Sequence, residues 1–411
     1  MGCKILLKIP VPVAVVLLAS YGQVAVGQQR KDQPALQRGT TSGILSGRAL
    51  GHAIELSTGY VNRACGSTGK FTYSVDMDSG RLSLSYNIVR HAGAMYALAM
   101  ANRFHKNRNV VDAMTRAAGF LLTNYVGLDR HSNMLVIWSD PSSQSGEAEL
   151  GASGLGLVAL SEVEQARPNT VPREQLRGLG RFVLFLQKSD GSFTSKYRAD
   201  SGPVDNWDSL YYPGEAALGL VALYELDHSH EWLVAAGKAL AYLAQRRATT
   251  RELAPDHWAL IATAKFLPYY EQSACPASRA DLVAHAARIC EGFLREQVTD
   301  LSDPSRDGGF DAAGRTTPAA TRLEGLLAAL EFLPSGPTIL RAQIRTAVDR
   351  GVGFLLRAQI VSGPYAGGMP LAVDSVDSSR GDNPREVRID YVQHALCAWL
   401  RYEGLFLAKE R

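Results

Sequence analysis

Two kinds of helical pattern alternate along this chain. The first repeats apolar residues at three- and four-residue intervals, carries charge on the opposite face and ends in a bulky apolar pair: Leu45–Val61, Val110–Val126, Val171–Lys188, His230–Arg247, Arg279–Gln297 and Ile339–Gln359. The second opens with polar or ionisable residues and continues through Ala, Gly and Leu with no polar face: Tyr86–Ala101, Glu147–Val163, Tyr211–Leu226, Pro255–Leu267, Thr317–Leu333 and Arg388–Tyr402. Helices that are apolar on nearly all sides must be buried, and small residues let their axes approach closely. The second set therefore predicts an inner ring and the first an outer ring, together an all-α domain of helical hairpins spanning 45–411. No Ser/Gly/Pro-rich linker or block of like charge divides that stretch.

The connecting turns agree with this reading. Several outer segments lead into a glycine followed by an aromatic residue: Gly69 with Phe71, Gly191 with Phe193, Gly308 with Phe310, and Gly363 with Tyr365. Glycine ends the helix and permits positive φ, and the aromatic ring packs back on the hairpin. The stretch 178–193, GLGRFVLFLQKSDGSF, resembles the QW-type repeat of terpenoid cyclases and prenyltransferases, and 351–369, GVGFLLRAQIVSGPYAGGM, is a weaker copy. The whole pattern is similar to the α/α toroid superfamilies, which include six-hairpin glycosidases, several polysaccharide lyases, and the cyclases and prenyltransferases. The resemblance implies an (α/α)6 toroid and only a menu of functions. The alternation of Phe71, Tyr73 and Val75, with a turn at Asp78 to Gly80, adds a predicted short β-hairpin over 71–85.

The N-terminal stretch reads differently. Lys4 and Lys8 precede the apolar run Pro10 to Ala19, and Ala25 and Gly27 then stand at signal-peptidase spacing, so 1–27 is expected to be a signal peptide and the mature protein secreted or periplasmic. An uncleaved membrane anchor is the alternative, disfavoured by Pro10 and Pro12. Residues 28–44 are polar and unpatterned, the mark of a flexible segment. With 43 basic and 40 acidic side chains, the surface has no strong field for nucleic acid or anionic lipid. Past the leader remain Cys65, Cys275, Cys290 and Cys397, an even number that permits disulfides, Cys275 to Cys290 closing the shortest loop. None has CxxC spacing, and buried free thiols are an equal reading for Cys65 and Cys397.

Candidate chemistry gathers where the inner segments begin, because in a closed ring those starts converge on one end of the central cavity. The residues are Tyr86, Asn87, Arg90 and His91; Glu147 and Glu149; Asp205, Asn206, Asp208, Tyr211, Tyr212 and Glu215; Asp256, His257 and Trp258; Arg322 and Glu324; and Arg388, Asp390, Tyr391, Gln393 and His394. The plainer reading of the acids is helix capping, and of Arg90 and His91 a buried ion pair with Glu149 or Glu215. Capping does not explain cations at a helix N-terminus, the end that disfavours positive charge. Acids, amides and aromatic rings around a concave cleft suit a sugar, whose hydroxyls they bind and whose C–H faces they cover.

The sequence therefore points first to a secreted carbohydrate-active enzyme, a glycoside hydrolase drawing its two carboxyl groups from Asp208, Glu215, Asp256 and Glu149. Asp256, flanked by His257 and Trp258, is the expected acid, and Glu215 its charged partner. The alternatives are a polysaccharide lyase with Tyr86 or Tyr211 as base and Asn87, Arg90 or His91 on a uronate carboxylate, a glycan- or peptide-binding toroid without turnover, and a terpenoid cyclase or prenyltransferase relative. The last is weakened by the lack of a DxDD-like motif, of an Asp/Cys/His zinc set and by the leader. Asp390 and His394 stand one turn apart but lack a third metal ligand, and no phosphate- or dinucleotide-binding motif occurs, so no metal or cofactor is expected.

Overall fold

A computed structural model describes residues 47–140, 146–204, 206–299, 302–336, 338–374 and 383–407. The expected signal peptide 1–27, the segment 28–44 and the candidate Asp205 lie outside the described residues.

Among the described residues, six outer helices alternate with six inner ones. The outer set is α1 (Gly47–Ala64), α3 (Arg108–Asn124), α5 (Arg173–Leu186), α7 (His230–Arg246), α9 (Arg279–Glu296) and α11 (Ile339–Ala358); the inner set is α2 (Ile88–Phe104), α4 (Leu150–Ala166), α6 (Tyr212–Asp227), α8 (His257–Phe266), α10 (Thr316–Leu330) and α12 (Ile389–Phe406). Each inner helix packs on the next, and α12 returns to α2, so the ring is closed. The composition explains the division. Helix α5 buries a single stripe, Leu176, Leu179, Phe182, Val183 and Leu186, whereas α4 is buried at every position from Leu150 to Glu164.

Small residues set the radius of the inner ring. A Cβ on Gly154 of α4 would lie 2.6 Å from the Glu215 carbonyl carbon of α6, and one on Gly219 of α6 would lie 2.5 Å from the Gly154 oxygen. The two backbones touch there, and no side chain fits between them.

The glycine-aromatic turns form a repeated clasp between neighbouring outer helices. Gly191, at φ 92°, seats against the Lys238 carbonyl of α7, while the Gln187 amide donates to the oxygens of Gly191 and Ala235 at 3.3 and 2.9 Å. Gly308 and Gln297 repeat this on α11, where Gln297 reaches the Ala347 oxygen at 2.8 Å. Gly69 does so on α3, with the Cys65 thiol in place of the amide, 3.5 Å from the Ala113 oxygen. In the last turn Gly367, two residues beyond the aromatic Tyr365, takes this place against Leu56 of α1. There Gln359 donates to the Ala53 oxygen at 2.9 Å and Ser57 donates to the Gly367 oxygen at 2.8 Å, joining the last hairpin to the first.

Short strands decorate the end where the inner helices begin: β1 (Ser74–Asp76), β2 (Val126–Leu128), β3 (Leu135–Ile137), β4 (Glu147–Glu149), β5 (Lys196–Arg198), β6 (Gly202–Val204) and β7 (Glu386–Arg388). They form the antiparallel sheets β1–β7, β2–β3 and β4–β5–β6. The hairpin predicted over 71–85 keeps its turn and a single bridge, Val75 to Leu82, but β1 takes its ladder from β7 more than 300 residues away. Cys65, Cys275, Cys290 and Cys397 are all free thiols, so the disulfide reading does not hold.

Candidate functional site

A buried acid sits at the seam between α4 and α6. Tyr212 and Pro213 start α6, which places Glu215 in its first turn, and the absence of a side chain on Gly151 leaves room for it. A Cβ on Gly151 would lie 2.4 Å from both Glu215 Oε2 and the Tyr212 ring. Glu215 is only 4% exposed, and its Oε2 has no hydrogen-bond partner. Burial, reinforced by the fields of Asp256 and Glu149, pushes its carboxyl up to about 8, so it is protonated at neutral pH. Glu149, at the N-cap of α4, leaves the helix amides uncapped, and its charge acts on the Tyr212 hydroxyl. Burial, reinforced by the fields of Glu149 and Glu215, raises the Tyr212 phenol far above its ordinary range.

A histidine group faces this seam from α8, α10 and α12. His257 is buried, neither ring nitrogen has a partner, and desolvation beside His394 and Arg322 holds it well below the usual imidazole range. Its ring meets Tyr211 at 5.2 Å, Trp258 at 4.9 Å and His394 at 5.4 Å between centroids. The His394 Nδ1 lies 2.6 Å from Oε1 of the buried Glu324, whose other oxygen is unpartnered. Arg322 is anchored to Glu296 of α9 at 2.9 Å.

A third group is cationic. Asp390 accepts from Arg388 at 2.6 Å and from Arg90 at 3.0 Å, so one carboxylate serves two guanidinium groups. Arg90 also donates to the Tyr73 hydroxyl, and Arg388 lies 4.4 Å over the Tyr391 ring, whose hydroxyl donates to Glu386. Arg90 is 36% exposed, and its charge acts on Tyr212 in the lowering direction.

Other candidates face elsewhere. Asp256 caps α8 through the Ala259 N–H at 3.0 Å and accepts Arg247 at 2.9 Å; burial still leaves its carboxyl raised, yet both oxygens are occupied. His91 turns outward: Tyr86 donates its hydroxyl to Nδ1 at 2.7 Å, and Nε2 donates to the Ala117 oxygen of α3 at 3.0 Å. Those partners fix the tautomer, and burial lowers His91 to about 4. Asn87 caps α2 through the Arg90 N–H. Asp208 is exposed on the loop before α6.

That same loop carries a residue the sequence reading missed. Trp207 is 43% exposed, packs edge-on to Tyr212 at 5.7 Å and lies under Lys196 at 5.0 Å. A lone Trp outside any periodic pattern has no sequence signal beyond its proximity to Tyr211 and Tyr212. Among the described residues, no cluster of three His, Cys, Asp or Glu is arranged to hold a metal ion.

No protein-family model and no curated protein matches the chain. Solved structures do. Cellobiose 2-epimerase from Bacillus thermoamylovorans aligns over 87% of this chain and 99% of its own, at 13% identity and a TM-score of 0.64. The fold is the six-hairpin α/α toroid. An α-1,6-mannanase from Salegentibacter (87% of this chain, 99% of its own, 11% identity, TM-score 0.61) and an unsaturated glucuronyl hydrolase specific for heparin (89%, 98%, 11% and 0.60) share it. At such identities the toroid itself is what the likeness establishes.

Proposed function

We propose that this toroid is an exported glycan-processing enzyme that cleaves glycosidic bonds, with Glu215 as proton donor and Glu149 as the second carboxyl group. The observation that carries the reading is the buried Glu215 carboxyl, protonated to about pH 8 beside a second carboxylate. A neutral acid in this position can protonate the departing glycosidic oxygen, while Glu149 attacks the anomeric carbon or activates a water. Trp207 and Tyr212 supply faces for the sugar ring, and Arg90 supplies charge-assisted hydrogen bonds at the mouth. Sugar-active enzymes among the structural neighbours support the substrate class. The leader pattern in 1–27 supports export, and no described helix is long and apolar enough to cross a membrane.

A second reading rests on His257. A neutral imidazole with both nitrogens free, opposite the His394–Glu324 pair, is equipped to move a proton at a sugar carbon, as an epimerase or isomerase requires. One panel of neutral and uronate oligosaccharides separates the two. New reducing ends that fall about a hundredfold or more in Glu215→Gln support hydrolysis. A change of configuration without cleavage, lost in His257→Gln and kept in Glu215→Gln, replaces that reading with the second. An unsaturated product indicates a lyase, and binding without product removes the catalytic proposal altogether.

A further inference from the structure

A cavity lies at the opposite end of the inner ring. Helices α2, α4, α6, α8 and α12 line an open-mouthed space of about 590 Å³, within the range of small-molecule sites. Its walls include Met100, Val158, Leu218, Ile261 and Leu405. Trp258, 6.3 Å from Tyr96 on the cavity side and 4.9 Å from His257 on the other, separates it from the site above.

One hydrogen-bond donor without an acceptor, the Tyr96 hydroxyl, belongs to a residue that lines this cavity. Arg401 spends Nη1 on Glu331 at 2.6 Å, while its buried Nε has no partner. Its Nη2 approaches the Tyr96 hydroxyl at 3.5 Å. Arginine can only donate, so that contact leaves the buried phenol's own proton without an acceptor. A ligand oxygen that accepts from the Tyr96 hydroxyl would complete it, and unmade buried hydrogen bonds are costly.

The charges around the chamber decide what bears that oxygen. Arg103 pairs with Glu162 at 2.7 Å, Lys265 with Glu225 at 2.6 Å and Arg401 with Glu331 at 2.6 Å, so every cation of the collar has its own carboxylate. Glu324 lies close enough to raise the pKa of both Tyr96 and Arg401, and its field opposes an incoming anion. We propose that this chamber binds an uncharged, mainly apolar molecule with one acceptor oxygen, of the class of a long-chain alcohol or ester.

The test uses the whole chain and the neutral dye N-phenyl-1-naphthylamine. Saturable dye fluorescence, displaced by decanol and methyl decanoate at least tenfold more effectively than by decanoate at neutral pH, is expected. Ala264→Trp fills the chamber and should abolish dye binding with the circular dichroism unchanged; Leu405→Trp at the mouth serves if that variant does not fold. Tyr96→Phe should weaken decanol about tenfold while leaving the dye within about twofold. Absence of saturable dye binding, full binding to a folded chamber-filling variant, or decanoate matching decanol would each overturn the proposal. None of these readouts depends on turnover of a glycan.

Discussion

Replacing Glu215 by Gln tests the electrostatics of the site without changing its shape. The carboxyl rises from 4.5 to about 8 on folding. Between those values the folded chain keeps a proton that the unfolded chain has released. The stability that neutral Glu215 contributes is therefore complete below the unfolded value and is lost as pH rises toward and through the folded one. At about 1.36 kcal/mol per pH unit the limit is about 5 kcal/mol, and readjustment of the neighbouring Asp256 and Glu149 brings the expectation to about 2–4 kcal/mol. His91 and His285 act in the opposite sense. They stay neutral to about 4 and about 3 when folded, so acid below 6.5 favours the unfolded chain. That contribution is common to wild type and variant and cancels in their difference. Urea unfolding of both proteins in steps from about pH 5 to about pH 9 should show the wild type losing about 2–4 kcal/mol relative to Glu215→Gln. A difference that stays flat or grows with pH would show that Glu215 is ionised in the folded protein, and the assignment of the proton donor would go with it.

Three further outcomes follow from the geometry. Asp256→Asn keeps an acceptor for the Ala259 N–H but leaves Arg247 beside no charge, and a loss of about 3 kcal/mol in chemical unfolding is expected; a stable Asp256→Asn protein whose turnover falls a hundredfold would instead make Asp256 the acid. Gly154→Ala drives a methyl into the Glu215 backbone and should cost about 1–3 kcal/mol or more in thermal melts, whereas an unchanged Tm would mean that the inner ring can widen. The His91 imidazole should show no NMR titration above about pH 5, and a midpoint near its free value of about 6.5 would contradict its bonds to Tyr86 and Ala117.

The helices were legible because their signals are local. An Ala/Gly/Leu stretch such as 150–160 has no polar face to offer solvent, and the outer stripes repeat with helical period. What sequence could not place was direction and partnership. Arg90 and His91 are consecutive, so about 100° of helical turn sends one toward Asp390 at the mouth and the other into Phe71 and Phe120 behind α2. Asp256 looked like an acid in an aromatic setting, but Arg247, from the preceding outer helix, claims it across a loop whose path no periodicity encodes. Strand β1 pairs with β7 because ring closure brings the chain's two ends together, and a search for a local hairpin cannot see that. The cysteines sit on separate elements, Cys290 on the outer α9 and Cys397 on the inner α12, and Cys65 spends its thiol on the carbonyl oxygens of the turn and of α3.

The clasp between outer helices bears on how the chain can be cut and rejoined. Gln359 and Gly367 hold α1 by the same chemistry with which Gln187 and Gly191 hold α7, although the first spans 306 residues and the second fewer than 50. Mechanically the two seams are equivalent; kinetically they are not, since the long one can form only after its intervening hairpins have been gathered. A circular permutant opened between α6 and α7, with the first and last hairpins of the ring joined, would make the Gln187 seam the long one and the Gln359 seam a local one. Such a molecule should keep the equilibrium stability of the parent yet assemble its hairpins in a different order, so that this protein's history of folding is written in its chain ends and not in its final shape.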